Sequence, residues 1–269
     1  MFLWILTRQL NSQRKTLGKE MKFQIISDIH IERAYPEVPR LESIIKPLTD
    51  TLILAGDIGH LEYMHQYVMF LHQVEVFYKR AILILGNHEP ASKRVKVSVL
   101  INQLKEHLRE MPTITLLEEE TIDLDITFRV FGSTMWTSIP RASWGLQSQY
   151  WILDGDEKHD SHWINKQHSY CLERLDEEIL RAQGDGKQLI VIGHHAPLLK
   201  GPLDNRYDND PKRFYYATDL SRYLVRNKVA VWVFGHTHVN CDLLTDGHTR
   251  VVSNQFQGAG YDPEKIIVV

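Results

Sequence analysis

The sequence predicts an α/β protein built on two packed β-sheets, and three observations carry that expectation. Short, nearly continuous apolar runs recur along the chain, as expected of strands covered on both faces. Segments with apolar residues at helical spacing lie between them, which argues for parallel pairing. Two further regions hold strand-like runs too close together for intervening helices, so antiparallel pairing is expected as well.

In chain order the parallel-type runs are "KFQIIS" (22–27), "TLILA" (51–55), "AILIL" (81–85), "QLIVI" (188–192) and "VAVWVF" (229–234). Helical spacing covers 61–78, 93–110 and 169–183, the last placing Leu172, Leu175, Ile179 and Leu180 on one stripe. The stretch 113–136 reads as an antiparallel meander of three short strands. The stretch 241–254 reads as a hairpin turning at "TDGH". Residues 137–160, with Trp144 and Trp151, lack periodicity and are expected to form a long surface loop. No repeat or linker interrupts the pattern. One domain is expected over 21–269, preceded by an extension over 1–20, helical or disordered.

The totals narrow the function. With 43% apolar and 24% charged residues in 269, the chain has the makings of an ordinary globular core. A net charge of -3 gives no general attraction to nucleic acid or to an anionic membrane, so an anionic substrate must be drawn by a local field. Cys171 and Cys241 are too few for a disulfide framework or a thiolate metal site, and are expected to be small buried hydrophobes in a reducing compartment. No apolar run approaches the roughly 20 residues of a membrane helix. The first 20 residues have an apolar start without a preceding basic region or a small-residue cleavage site. Their Arg8, Arg14, Lys15 and Lys19 are weakly transit-like, and a cytoplasmic location is the expectation.

The functional signal is positional. The five runs end in Asp28-Ile29-His30, Gly56-Asp57, Gly86-Asn87-His88-Glu89, Gly193-His194-His195 and Gly235-His236-Thr237-His238. In an open parallel sheet, ligands bind outside the carboxyl ends of the strands. Side chains two apart on extended backbone point the same way, so Asp28 with His30, and His236 with His238, suit gripping from one side. Each piece alone is weak: "GNHE" reads equally well as a helix cap formed by Asn87. Five polar ends on five strands require a common purpose, and Asp, His and Asn donors suit Mn²⁺, Fe or Zn²⁺.

The ordered set D-x-H, GD, GNHE, GHH and GHTH, spanning 22 to about 240, resembles the calcineurin-like metallophosphoesterase superfamily. "GHHAPLLKGPLDNRYDNDPKRFYYATDL", then "GHTH" and "TRVVSN", is similar to its small single-domain members. The resemblance implies an αββα sandwich of two facing mixed sheets flanked by helices. It also implies two divalent or mixed-valence transition-metal ions. Asp28, His30 and His238 would hold the first, Asn87, His194 and His236 the second, and Asp57 would bridge them. His88 would be an active-site histidine rather than a ligand. His195 sits where many relatives have glycine and would either support the ligands or touch substrate. Glu89 would be structural. The aromatic pair often seen after "GNHE" in relatives is missing here. Two carboxylates among neutral ligands leave two dications with a surplus of two positive charges, which supplies the local field for a phosphate.

The reaction so implied is hydrolysis of a phosphomonoester or phosphodiester by direct attack of a metal-bound hydroxide, with His88 assisting the leaving group. Neither a Gly-x-Ser-x-Gly elbow nor a P-loop is present, "GDGK" at 184–187 being a turn before a strand. Two alternatives stand beside it: a non-catalytic interaction module on the same fold, and a nuclease. Lys93, Arg94 and Lys96 read as a solvated helix face. Lys212 and Arg213 with Tyr207, Phe214, Tyr215 and Tyr216 form the one mixed basic and aromatic cluster, a candidate for substrate contact. A small phosphoester is the expected partner, with neither a membrane nor nucleic acid.

Overall fold

The computed structural model describes residues 20–92, 94–146 and 152–269. Lys93, Trp151 and all of the expected extension except Glu20 lie outside the described residues.

Strands β1 (Lys22–Ile26), β2 (Thr51–Ala55) and β3 (Arg80–Ile84) form where the apolar runs predict them. Helices α1 (Met64–Phe77) and α2 (Val97–Leu108) flank β3 in sequence. Then come β4 (Ile114–Leu116), β5 (Glu120–Asp123), β6 (Phe128–Gly132), β7 (Ile152–Asp154) and β8 (Glu157–His159). Helix α3 (Ser161–Gly184) leads into β9 (Gln188–Ile192) and β10 (Val231–Phe234). The chain closes with β11 (Asp242–Leu244), β12 (Arg250–Ser253) and β13 (Ile266–Val268).

Among the described residues these strands form two mixed sheets, ordered β13-β1-β2-β3-β4 and β11-β12-β10-β9-β6-β5, and a separate two-stranded sheet, β7-β8. β1, β2, β3 and β4 run parallel in the first, as do β6, β9, β10 and β12 in the second. Alternation sorts each strand's side chains between two layers. Phe23, Ile25, Ile53, Ile82 and Ile84 point inward to meet Val130, Ile190, Ile192, Val231 and Val233 of the opposite sheet. Ile26, Leu52, Leu54 and Leu83 point outward to α1 and α2, while Val191, Trp232 and Val251 face α3. Both faces of both sheets are therefore covered, which is why the runs are continuous rather than alternating. Burying one such aliphatic side chain contributes about 1.5–3 kcal/mol.

Four local expectations are corrected. The stretch 113–136 is not one meander: β4 joins the first sheet beside β3, and only β5 and β6 pair antiparallel. The stretch 137–160 is not all loop, since β7 and β8 form a hairpin. Helix α3 begins at Ser161 because Asp160 caps the amides of His162 and Trp163. Its buried stripe is Ile164, His168, Cys171, Leu175 and Ile179, leaving Leu180 70% exposed. The helix-cap reading of Asn87 also lapses, because the next helix starts ten residues later at Val97.

Candidate metal centre

All five polar strand ends emerge on one side of the sandwich. β1, β2 and β3 deliver theirs from the first sheet, and β9 and β10 from the second. Backbone bonds tie the ends together: Asp28 N donates to Gly56 O, His30 N to Asp57 O, and Gly235 N to His194 O, all at 2.9–3.1 Å. Across the sheets, His236 N donates to both carboxylate oxygens of Asp28 at 3.0 Å, joining residues 208 apart in sequence.

The backbone turns so sharply here that Asp28, His30, Asp57, His236 and His238 all have φ between 52° and 69°. Left-handed backbone is costly for residues with a β-carbon and clusters where a site over-determines it. Two glycines make the approach possible. A β-carbon on Gly235 would lie 2.6 Å from Ser27 Oγ and 2.7 Å from Asp28 Oδ2, and one on Gly86 would fall on the Asp57 carboxylate.

Asp28, His30 and His238 bring one ligand-type atom each within 4.8 Å of one another, and so do Asp57, His194 and His236. The two groups adjoin, since His30 Nε2 is 3.8 Å and His194 Nε2 3.2 Å from Asp57 Oδ2. His238 Nε2 lies 3.4 Å from Asp28 Oδ1. Asn87 sits between Gly86 and His88, whose amide donates to Asp57 Oδ1 at 2.9 Å. His88 Nε2 is 3.9 Å from Asp57 Oδ2, and it forms a third group with His30 and Asp57. Geometry alone leaves His88 within reach of a cation as well.

The imidazoles are held from behind. His194 Nδ1 donates to Ala55 O at 2.9 Å, His236 Nε2 to Tyr215 O at 3.3 Å, and His30 Nδ1 contacts Glu32 Oε1 at 3.1 Å. Each ring thereby turns its other nitrogen inward, the arrangement that orients metal-ligating histidines. Two inward atoms are orphaned: His194 Nε2 and Asn87 Oδ1 are buried without a hydrogen-bond partner. Such groups rarely go unsatisfied. A cation answers both, because it accepts the lone pair of a neutral imidazole and of an amide oxygen at once. The donor set therefore fits a pair of divalent ions.

Electrostatics point the same way. Burial would raise Asp57, yet the His194 and His88 rings beside it hold its carboxyl well below the ordinary range. Burial likewise opposes charge on His194, but Asp57 outweighs it and pushes the ring up to about 10. His236 is driven well below its ordinary value by burial and by His195 and His194. Burial and His194 take His195 down to about 3.

The chain belongs to the calcineurin-like phosphoesterase family. The match to that family covers residues 21–240. Over 265 residues it is 26% identical to the uncharacterized protein L509 of Acanthamoeba polyphaga mimivirus, covering 89% of this chain and 91% of that one. In fold it is similar to phosphopantetheinyl hydrolase from Mycobacterium tuberculosis, with a TM-score of 0.57, 18% identity and 91% of each chain covered. A dimetal phosphatase from Danio rerio gives 0.56 at 11% identity, over 92% of this chain and 91% of that one. The αββα architecture follows, as does dependence on divalent metal.

Other expected residues take these places. Glu89 is fully buried and accepts from the amides of Asp57, Ile58 and Gly86 at 2.7–3.0 Å, which fits a structural role. His195 Nδ1 bonds Thr134 O at 3.2 Å, and its ring lies 4.3 Å from that of His236. Of the basic and aromatic cluster, Tyr216 reaches the site, 5.6 Å ring to ring from His236. Arg213 instead bonds Asp208 O and lies over Phe214. Cys171 is buried as expected, while Cys241 is only half-buried.

Two participants escape a reading by strand ends. His60 Nε2 lies 3.2 Å from His88 Nδ1 and 3.7 Å from Glu32 Oε1. Neither His60 nor Glu32 ends a strand, and the only cue is nearness in sequence to Asp57 and His30. Among the described residues, no helix is long and apolar enough to cross a membrane.

Proposed function

We propose that the protein hydrolyses a phosphomonoester or phosphodiester at a dinuclear centre held by Asp28, His30, Asp57, Asn87, His194, His236 and His238. The observation that carries this reading is the pair of orphaned, inward-facing atoms, His194 Nε2 and Asn87 Oδ1, beside the Asp57 carboxylate. Asp57 would serve both ions, one held with Asp28, His30 and His238 and the other with Asn87, His194 and His236. Two divalent ions so held supply Lewis-acid activation of water and compensate the charge of phosphoryl oxygens.

The chain's own residues supply orientation and protons. Ala55 O, Tyr215 O and Glu32 fix which nitrogen of His194, His236 and His30 faces inward. His88, 43% exposed, and His238, 39% exposed, are the open histidines of the cluster, and His88 is the side chain placed to meet a leaving group. When His60 donates from Nε2 to His88 Nδ1, the His88 proton is held on Nε2, the nitrogen facing Asp57 and the substrate side. That proton serves the leaving oxygen.

The test is hydrolysis of p-nitrophenyl phosphate and bis(p-nitrophenyl) phosphate by protein loaded with Mn²⁺, Zn²⁺, Fe or Ni²⁺. Turnover of either ester, abolished by chelation and restored by metal, supports the reading. A folded, metal-loaded chain inert towards both would favour an interaction module.

A further inference from the structure

Two glutamates stand near the centre, and their bonding differs. Glu89 spends its oxygens on three backbone amides, the pattern of a structural residue. Glu32 instead turns Oε1 to two imidazole nitrogens, His30 Nδ1 at 3.1 Å and His60 Nε2 at 3.7 Å. Its Oε2 is buried without a hydrogen-bond partner. Buried polar atoms are seldom left idle, so a carboxylate kept here with one oxygen unused is not explained by its own stability. Its effect on the two rings is what remains. The side chain is 13% exposed, and a charge so shielded acts strongly on its neighbours.

The rings lead to different places. His30 turns Nε2 inward, 3.8 Å from Asp57 Oδ2, where the first ion would sit. His60 Nε2 lies 3.2 Å from His88 Nδ1. A negative charge at Oε1 favours an N–H on each nitrogen that faces it. On His30 that proton leaves the Nε2 lone pair free for a cation. On His60 it provides the donor to His88 Nδ1, which leaves the proton of His88 on Nε2. Local structure fixes the three groups together. Glu32 lies in the short turn Ile31–Ala34 that follows His30, and His60 opens the turn Leu61–Tyr63 that follows Asp57.

We infer that Glu32 is a positioning residue with two outputs: it sets the tautomer of His30 and, through His60, the tautomer of His88. The second output rests on the phosphoesterase reading; the first needs only a metal at His30. Ion binding and proton donation thereby depend on one charge, and neither Glu32 nor His60 has to touch the substrate.

Leaving-group dependence tests it. p-Nitrophenolate departs without a proton, whereas the more basic phenolate gains from one. Full-length protein at saturating Mn²⁺ is compared on p-nitrophenyl phosphate and phenyl phosphate. Glu32→Gln keeps the shape and removes the charge. It should lower kcat on phenyl phosphate about tenfold more than on p-nitrophenyl phosphate. His60→Ala should show the same excess, and the double variant should be no worse than the worse single, because both act through one chain of contacts. The Mn²⁺ needed for half-activation should rise about tenfold in Glu32→Gln and stay within about twofold in His60→Ala, since only Glu32 touches His30. A general loosening of the fold would slow both esters alike. If Glu32→Gln does not fold, Glu32→Asp, which withdraws the charge by one methylene, should show both effects with the same sign. Equal losses on the two esters, or additive losses in the double variant, overturn the link to His88. An unchanged Mn²⁺ requirement in the Glu32 variant overturns the link to His30. A wild type that cleaves neither ester refutes the proposed function, and direct titration with Mn²⁺ then still decides the His30 half.

Discussion

Nε2 of His194 faces Oδ2 of Asp57 at 3.2 Å, while Nδ1 of the same ring is committed to Ala55 O. Two lone pairs do not rest against each other in a buried site. The contact is resolved either by a proton on Nε2 or by a cation between the two atoms.

Proton and metal therefore compete. In metal-free protein His194 is pushed up to about 10, so near pH 8 a proton must leave before the ring becomes a ligand. Metal affinity should rise by about tenfold per pH unit from this group alone. Calorimetry in buffers of different ionisation enthalpy should find about one proton or more released per chain. The sign for stability follows from a raised pKa. The ion pair's contribution to the metal-free fold is fully present below the unfolded value of 6.5 and is lost as pH rises through about 10.

His88→Asn should lower kcat by about 10²–10⁴ while leaving metal content unchanged, because a leaving-group proton is lost but no ligand is. His60→Ala should lower kcat less, with KM nearly constant, since it removes the group that orients His88. Loss of metal in His88→Asn would instead make His88 a ligand.

Gly235→Ala places a carbon 2.6 Å from Ser27 Oγ and 2.7 Å from Asp28 Oδ2. Overpacking of this kind costs about 1–3 kcal/mol. A lower Tm together with weakened metal binding is expected, because the displaced carboxylate is Asp28.

His195 is held down to about 3 by burial and by His194, below the unfolded value of 6.5. Between those values the unfolded chain binds more protons, so stability falls as pH drops from 6.5 towards 3. One such histidine contributes a slope of about 1.4 kcal/mol per pH unit. His195→Gln should remove it, read as a shallower acid-denaturation profile of the metal-free chain.

Legibility in the sequence tracked the physics of each element. β2 appears at its predicted bounds because "TLILA" is apolar on both faces and ends at a glycine. The strand-end residues were legible because parallel topology leaves such donors only one place to meet. β4 was misassigned to a meander because a three-residue strand does not declare its partner, and pairing with β3 is a long-range outcome. The β7–β8 hairpin was missed because Glu157, Lys158 and His159 carry no apolar alternation. The start of α3 is read eight residues late, at 169, because Asp160 as a cap is not picked out, and the shortened helix misplaces Leu180. His60 lies against His88 and Glu32 against His60, and nothing local distinguishes a histidine that contacts another from one that faces water.

The most direct test is metal stoichiometry by elemental analysis of purified wild type and Asp57→Asn after loading with Mn²⁺ and desalting. The account predicts two ions per wild-type chain and, with the shared carboxylate gone, at most one in the variant. Two ions retained by Asp57→Asn, or none held by a wild type that still cleaves phosphoesters, would contradict it.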